Sequence, residues 1–482
     1  MDVNSPSFSN KVLKGFLWIG TGTLLGQLIS WIATIIIIRL LSPSDYGLLA
    51  MAGTFTALLT MISELGMGSS IIQAPKISEN EIQKIFGIVI VTNVLAWAIC
   101  HLAAPAIALF YNERQLVSII RVMNINFILM AFYIIPQSLF IREMNFKTKT
   151  KIDVSAQVGS AFLTLILALN GIGVWSLVTG IITLHLIKII GFNIARSPWL
   201  NPIFKIKGSE NIIKFGLNVT GSRLFYYLFR QSDGIIIGRL LGNKLLGIYS
   251  VALQLASIPG EKVLPVINQI SFTSYSRIQD DIHRIKRNFL RATRAIAVLS
   301  FPLFFGMAGT APEAIPLILG QKWKVIIIPF QLLCLSLPLQ IFNPNLSRAV
   351  LAIGKPTVNL INMAIISSVM TVAFLIGIQY GIIGICLAWV ITYPVVFFIT
   401  CLHCLHALNI PLINFLSEIK IPLLVSSLML FLIITAKNTI TVIDPITFLV
   451  LSAIFGFIFY FGIIFIVKKE DYMELKDLIM KK

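Results

Sequence analysis

Long apolar runs, broken at intervals by short polar or basic stretches, make up nearly the whole chain. Thr21–Ile38, Ile85–Phe110, Ile365–Tyr380 and Ile421–Ile434 carry almost no charge, and a helix of about 20 such residues spans the hydrocarbon of a bilayer. Strands of a membrane β-barrel would alternate apolar with polar positions; these runs do not. The pattern predicts an all-α, polytopic membrane protein of about fourteen transmembrane helices. They fall at 12–41, 45–72, 84–110, 116–141, 152–170, 173–195, 211–241, 245–271, 290–310, 325–352, 357–378, 382–407, 418–436 and 445–467.

Alternate connections are basic. Lys76 and Lys84, then Arg142, Lys147, Lys149 and Lys151, then Arg196, Lys205, Lys207 and Lys214, then Arg277 through Arg294, and finally Lys468 and Lys469 fall on one side. Short turns mark the other side: Ser42–Ser44, Asn112–Gln115, Asn170–Gly171, Gly242–Lys244 and Tyr380–Gly381. The positive-inside rule puts the basic side in the cytoplasm. An even number of helices then puts both termini there. The opposite loops are too short to hold a soluble catalytic domain.

Composition agrees. The 482 residues are 57% hydrophobic and 12% charged, against about 25% charged in soluble domains. The excess of 38 Lys and Arg over 20 Asp and Glu is spread over membrane connections rather than gathered on a soluble module, so nucleic acid is not the expected partner. Five cysteines scattered through apolar runs give no disulfide framework. The first apolar run, after Lys11 and Lys14, is too long for a signal-peptide core.

The chain repeats itself. Ile35-Ile36-Ile37-Ile38-Arg39-Leu40-Leu41 with Gly47 matches Ile235-Ile236-Ile237-Gly238-Arg239-Leu240-Leu241 with Gly247, an offset of 200. Lys14, Leu17 and Leu24 recur as Lys214, Leu217 and Leu224. Pro136 and Lys147 recur as Pro344 and Lys355 at an offset of 208, and Gly171 recurs as Gly381 at 210. A slowly growing offset is the trace of a tandem duplication. An even number of helices separates the copies, so the repeat is parallel, with its axis along the membrane normal. The expected organisation is a six-helix lobe at 1–200, a tether at 201–210, a second six-helix lobe at 211–407, and two appended helices with a tail at 408–482.

The segment Arg39-Leu40-Leu41-Ser42-Pro43-Ser44-Asp45-Tyr46-Gly47-Leu48, continuing to Glu64-Leu65-Gly66-Met67-Gly68-Ser69, resembles bacterial oligosaccharide flippases. So do Arg142-Glu143-Met144-Asn145-Phe146-Lys147 and Gly171-Ile172-Gly173-Val174-Trp175. These are polysaccharide transporters of the multidrug/oligosaccharidyl-lipid/polysaccharide exporter superfamily, and the likeness is strongest to the colanic-acid and teichuronic-acid type. The resemblance implies two six-helix lobes about a central cavity and outward transfer of a polyprenyl-diphosphate-linked oligosaccharide. It also implies a pathway shared with glycosyltransferases and a polysaccharide polymerase. No fixed ligand motif comes with it.

The candidate site is therefore argued from position. Arg223 and Arg230 on the seventh helix lie seven residues apart, about 20° from one azimuth. Tyr227 and Gly234 share that face, with Tyr226 and Asp233 beside it. A mid-membrane arginine costs about 2.5–3.5 kcal/mol on insertion scales and faces a wet cavity or a partner. Applying the 200-residue offset, the first helix presents Thr23, Gln27, Ser30 and Thr34. Two equivalent polar stripes would face each other across the pseudo-two-fold axis. Guanidinium groups there would hold the diphosphate through paired hydrogen bonds. A structural reading stands beside it, with Arg230 paired to Asp233 and the hydroxyls bonded back to their own helix.

Glu64, inside the second helix, is a candidate coupling-ion site, and Arg121 a candidate for pairing across helices. Glu261–Lys262, between Pro259 and Pro265, marks a broken helix, while Arg39 and Arg239 read as interfacial snorkels. Cys401-Leu402-His403-Cys404-Leu405-His406 lacks the loop of a zinc module. The basic run from Arg277 to Arg294 fits anionic lipid headgroups. No metal or cofactor is expected. No phosphate-binding Gly-x-x-x-x-Gly-Lys-Ser/Thr loop occurs, which leaves a secondary mechanism of alternating access and no enzymatic activity. The competing readings are a drug/cation antiporter of the same superfamily, which would want acidic cavity residues, and a membrane glycosyltransferase or polymerase, which would want a large outer loop.

The topology is tested with single cysteines at Thr148 and Asn112 in a cysteine-free background. They should label from opposite faces; labelling of both from outside would overturn the assignment.

Overall fold

The computed structural model describes residues 29–64, 67–73, 77–196, 201–204, 231–260, 282–439 and 444–467, with Gly26 and Tyr227 singly and with backbone alone at 61–64, 67, 69 and 73. Every described element is helical. The helices are α1 (Ile29–Leu40), α2 (Pro43–Glu64), α3 (Met67–Gln73), α4 (Glu79–Tyr111), α5 (Leu116–Met123), α6 (Ile125–Arg142), α7 (Phe146–Leu169), α8 (Val174–Ala195), α9 (Gln231–Gly260), α10 (Ile282–Leu319), α11 (Ile327–Ala352), α12 (Pro356–Gly377), α13 (Gly381–Leu408), α14 (Leu412–Thr439) and α15 (Pro445–Val467). Among the described residues, ten stretches are long and apolar enough to cross a membrane, or eleven if the bent pair α1–α2 is one span. One of these, 356–408, contains the hairpin α12–α13. The predicted helix 116–141 is two pieces, α5 and α6, and 45–72 appears as α2 and α3. The predicted 290–310 extends to 282–319, because apolarity marks the hydrocarbon-spanning part of a helix while its basic first turns continue into polar surroundings.

The chain divides into two compact units, Met1–Gly247 and Ile248–Lys482. The division lies beyond the tether read from the sequence, and the first half of α9 packs with the first unit.

Within the first unit, α4 starts from a capping box: Ser78 accepts from the Glu81 amide, and the Glu81 carboxylate accepts from the Ser78 amide. This answers two of the four amides a helix start leaves open. Helices in lipid gain nothing from burying apolar surface against each other, so close packing through small residues and interhelical hydrogen bonds holds them. The α7–α8 pair shows both. Gly159 lies against Ile187, Gly191 against Ile152 and Gly180 against Thr164, and the Ser160 hydroxyl donates to the Gly180 carbonyl at 2.7 Å. Phe162, Ile166 and Leu169 on α7, and Leu186, Ile190 and Ile194 on α8, form the exposed apolar stripes that meet lipid.

The duplication recurs in backbone geometry. Asn112 and Gly320, 208 apart, end α4 and α10 with φ of 55° and 94°. Met144 and Gly354, 210 apart, follow α6 and α11 at 55° and 71°, and Gly171 and Gly381 turn the next hairpins at 71° and 69°. Pro136 and Pro344 sit inside α6 and α11. In the second unit Gly377 and Gly384 let α12 and α13 touch: a Cβ on Gly384 would lie 1.9 Å from the Gly377 carbonyl oxygen.

The two appended helices belong to the second unit and are pinned to α10. Arg294 meets Glu418 on α14 through two bonds, Nε–Oε2 at 2.6 Å and Nη2–Oε1 at 3.0 Å. Glu313 pairs with Lys437 at the far end of the same helices, and Lys437 stands 5.4 Å over the Phe448 ring of α15. The pairs are nineteen residues apart on both helices, about 28 Å at 1.5 Å per residue, close to the roughly 30 Å of hydrocarbon. Equal spacing in the same chain direction makes α10 and α14 parallel. The charges are exchanged between the ends, basic then acidic on α10, acidic then basic on α14, which also disfavours a slip in register.

Glu418→Gln should therefore cost roughly 3 kcal/mol, as when one partner of a buried pair is removed, read as a lowered midpoint of unfolding in detergent. Arg294→Glu combined with Glu418→Arg should recover most of it. A double variant no more stable than Arg294→Glu alone would show that the pair is not what holds the helices.

Candidate functional site

The repeated Arg-Leu-Leu motif leads into two turns that meet within the first unit. At the first, Asp45 accepts from the Ser42 amide at 2.9 Å and its hydroxyl at 2.6 Å, fixing the start of α2 after a bend of 118° from α1. At the second, Gly242 has φ of 82°, and the Asn243 amide donates to Glu113 at 2.7 Å. The contact is reciprocal: a Cβ on Gly47 would lie 1.8 Å from the Asn243 oxygen, and one on Gly247 would lie 1.7 Å from the Pro43 oxygen. Only glycine permits such backbone approach, which gives a physical reason for Gly47 and Gly247 in both copies. Arg239 stacks 5.5 Å over Phe110, and Gly238 lies against Tyr111.

The residues proposed from sequence to line a cavity are described only in part. Arg223, Arg230, Thr23 and Gln27 fall outside the described residues, as does the side chain of Glu64, the last residue of α2. Tyr227 is buried and its hydroxyl donates to the Thr54 carbonyl of α2. That bond ties Tyr227 to α2. Ser30 and Thr34 are half-buried, and the Thr34 hydroxyl donates to the Ser30 carbonyl at 2.7 Å, the back-bonding foreseen by the structural reading. Asp233 is buried and accepts from the Gly234 amide at 2.7 Å. Arg121 is exposed on α5, without an ion pair among the described residues. In the second unit Asn362 accounts for two of the metal-like residues, bonding His403 at 2.8 Å and the Cys404 sulfur at 3.0 Å. All five cysteines are buried and none forms a disulfide.

A cluster missed by sequence reading joins α6, α7 and α8. Lys149 pairs with Asp153 at 2.7 Å and Lys188 approaches the same carboxylate at 3.5 Å. The Tyr133 hydroxyl lies 3.0 Å from His185 Nδ1. Asp153 was the available signal, being the one acid in α7 and followed on α8 by a lysine in an otherwise apolar run. The distance of 35 residues between them hid the partnership.

A family model described as polysaccharide biosynthesis protein matches residues 36–328. The chain belongs to this family. The polysaccharide biosynthesis family match begins within α1 and takes in the rest of the first unit. Among similar chains is the teichuronic acid biosynthesis protein TuaB of Bacillus subtilis (strain 168), 25% identical, with 73% of each chain covered. The lipopolysaccharide biosynthesis protein WzxC of Escherichia coli (strain K12) is also 25% identical, over 68% of this chain and 67% of that one. The fold is similar to that of a structure described as lipid II flippase MurJ, inward closed conformation, with a TM-score of 0.73 at 14% identity over 94% of this chain and 99% of that one. An inward-facing multidrug resistance MATE family transporter of the MOP superfamily has a TM-score of 0.62 at 15% identity, covering 82% and 99%.

The glycine crossing yields a direct test. Gly47→Ala and Gly247→Ala should each cost about 1–3 kcal/mol, the range for overpacking, read by thermal unfolding in detergent. Gly53→Ala in α2, where an added Cβ meets nothing within 4 Å, should be neutral or stabilising. Equal behaviour of all three would refute the close approach.

Proposed function

We propose that this chain is a flippase that carries a polyprenyl-diphosphate-linked oligosaccharide repeat unit from the cytoplasmic to the outer leaflet of the bacterial inner membrane. It supplies cell-surface polysaccharide synthesis, with both termini in the cytoplasm and with glycosyltransferases and a polymerase of the same pathway as partners. The observation that carries the proposal is membership of the polysaccharide biosynthesis family, matched over 36–328. Relatives named for teichuronic acid and lipopolysaccharide biosynthesis and for succinoglycan transport support the substrate class. A fold shared with a lipid II flippase supports the transport step.

The physical problem is the headgroup. An ionised group moved unaided into hydrocarbon meets a solvation penalty of tens of kcal/mol. Arg223 and Arg230 are the proposed counter-charges, because paired guanidinium bonds fit phosphate oxygens. Thr23, Gln27, Ser30 and Thr34 offer hydrogen bonds from the symmetry-related face. Outward movement of an anion from a negative interior gains about 2.3 kcal/mol per charge per 100 mV. Membrane potential therefore favours export without direct ATP hydrolysis, and Glu64 is the proposed coupling-ion carboxylate. The arginine-rich face disfavours a drug/cation antiporter, which would need acids to hold its cargo.

The test is export in a host whose surface polysaccharide depends on this chain. Arg223→Gln and Arg230→Gln should keep near-normal abundance, lose surface polysaccharide, and accumulate lipid-linked repeat unit inside. Arg→Lys should recover part, since it keeps the charge and loses the paired geometry. Normal export by the double Gln variant at normal abundance would remove these arginines from the mechanism. Accumulation of no lipid-linked sugar in the chain's absence would overturn the function.

A further inference from the structure

Three helices of the first unit bring two ammonium groups to one carboxylate. Asp153 on α7 accepts from Lys149 at 2.7 Å through Oδ2. Its Oδ1 is buried and accepts no hydrogen bond, with Lys188 of α8 standing 3.5 Å away. Lys188 makes no hydrogen bond among the described residues, so its three N–H donors are uncommitted. It is held instead by the field of Asp153 and by the ring of Tyr133 on α6, 5.5 Å from its nitrogen. Tyr133 is in turn fixed: its hydroxyl meets His185 Nδ1 at 3.0 Å and the two rings stack at 5.8 Å.

The cluster faces away from lipid. Asp153 lies nine residues before Phe162, half a revolution from the exposed stripe of α7 at 100° per residue. Lys188 is two residues from both Leu186 and Ile190, about 160° from each. The side chains of Lys149, Asp153 and Lys188 keep 25%, 19% and 19% of their surface accessible. Lys149 and Asp153 lie within about two turns of the start of α7, and Lys188 about two turns from the end of α8. All three are thus near the side that carries the basic connectors. The helices α6 and α8 contain no acid, and α7 contains only Asp153. One lysine would suffice to neutralise Asp153, and the second leaves a surplus positive charge.

We infer that Lys149 and Lys188 form a binding site for a phosphate or diphosphate group, and that Asp153 is the counter-ion that keeps the two lysines in place while the site is empty. A phosphate oxygen reaching Lys188 takes up its unspent donors, and a second oxygen competes with Asp153 for Lys149. Tyr133 and His185 are positioning residues. The site is built from other residues than Arg223 and Arg230, near the side that carries the basic connectors. It rests on the proposed function only for the identity of a lipid carrying the phosphate.

The test uses the full chain, purified in detergent, with inorganic pyrophosphate and, separately, a polyprenyl diphosphate as probes, read by ligand-dependent thermal stability and titration calorimetry. Wild type should bind at least one probe. Lys188→Gln should weaken that binding about tenfold or more, as for loss of a charge-assisted contact, while Asp153→Asn should strengthen it by freeing both lysines. A purely structural cluster gives a different pattern: both variants lower the unfolding midpoint and leave probe affinity unchanged, which would overturn the inference. If Lys188→Gln does not fold, Asp153→Asn decides alone, since unchanged or weaker binding refutes the site. Binding of pyrophosphate and lipid diphosphate alike identifies a free anion site; binding of the lipid form alone identifies a headgroup site. Altered phosphate binding without any lipid transfer would keep this site and remove the flippase reading, and the converse would do the reverse.

Discussion

Hydrocarbon gives a charged or polar group neither a hydrogen bond nor dielectric relief, and the chain is organised around that constraint. Among the described residues, charges on spanning helices meet across helices, as Arg294 meets Glu418 and Glu313 meets Lys437. Its hydroxyls turn back onto carbonyls of their own helices, as in Thr34, Thr54 and Thr56. The same solvent cannot drive helices together by hiding apolar surface. Contact therefore depends on close approach, at Gly159, Gly180 and Gly191 in the first unit and at Gly377 and Gly384 in the second. The two demands act together: helices close enough to pack are close enough to answer each other's polar groups.

The duplication shows how much of this could be read in advance. Gly171 and Gly381 were visible as a pair, and both adopt the left-handed conformation that glycine allows. Gly47 and Gly247 were visible too, though not the reason for them, which is contact with the backbone of the opposite turn. Span positions were legible because hydrocarbon selects for apolarity over a fixed length. Helix ends were less so: α10 starts at Ile282, within a basic stretch that apolarity does not mark as a span.

Partnerships across helices were the illegible part. Arg294 and Glu418 are 124 residues apart, and no local spacing rule connects them. Helical azimuth placed Tyr227 on a polar face, yet azimuth does not foresee a bond to another helix such as the one from its hydroxyl to the Thr54 carbonyl. Asp153 and Lys188 were equally hidden, on separate helices 35 residues apart. Those two gain meaning only when α7 and α8 are folded side by side. The function was the more legible, because the segments around Arg39–Ser69 and Arg142–Lys147 already resembled the family that the match over 36–328 shows.

Reconstitution of the full chain in proteoliposomes measures the central claim most directly. A fluorescent polyprenyl-diphosphate oligosaccharide placed in one leaflet would be followed by its loss of access to a membrane-impermeant quencher. The account predicts transfer faster than in protein-free vesicles, without ATP, and faster still when an imposed potential favours movement of the anion. Transfer no faster than in protein-free vesicles, with the chain shown to be folded, or transfer that strictly requires ATP and ignores the potential, would contradict it.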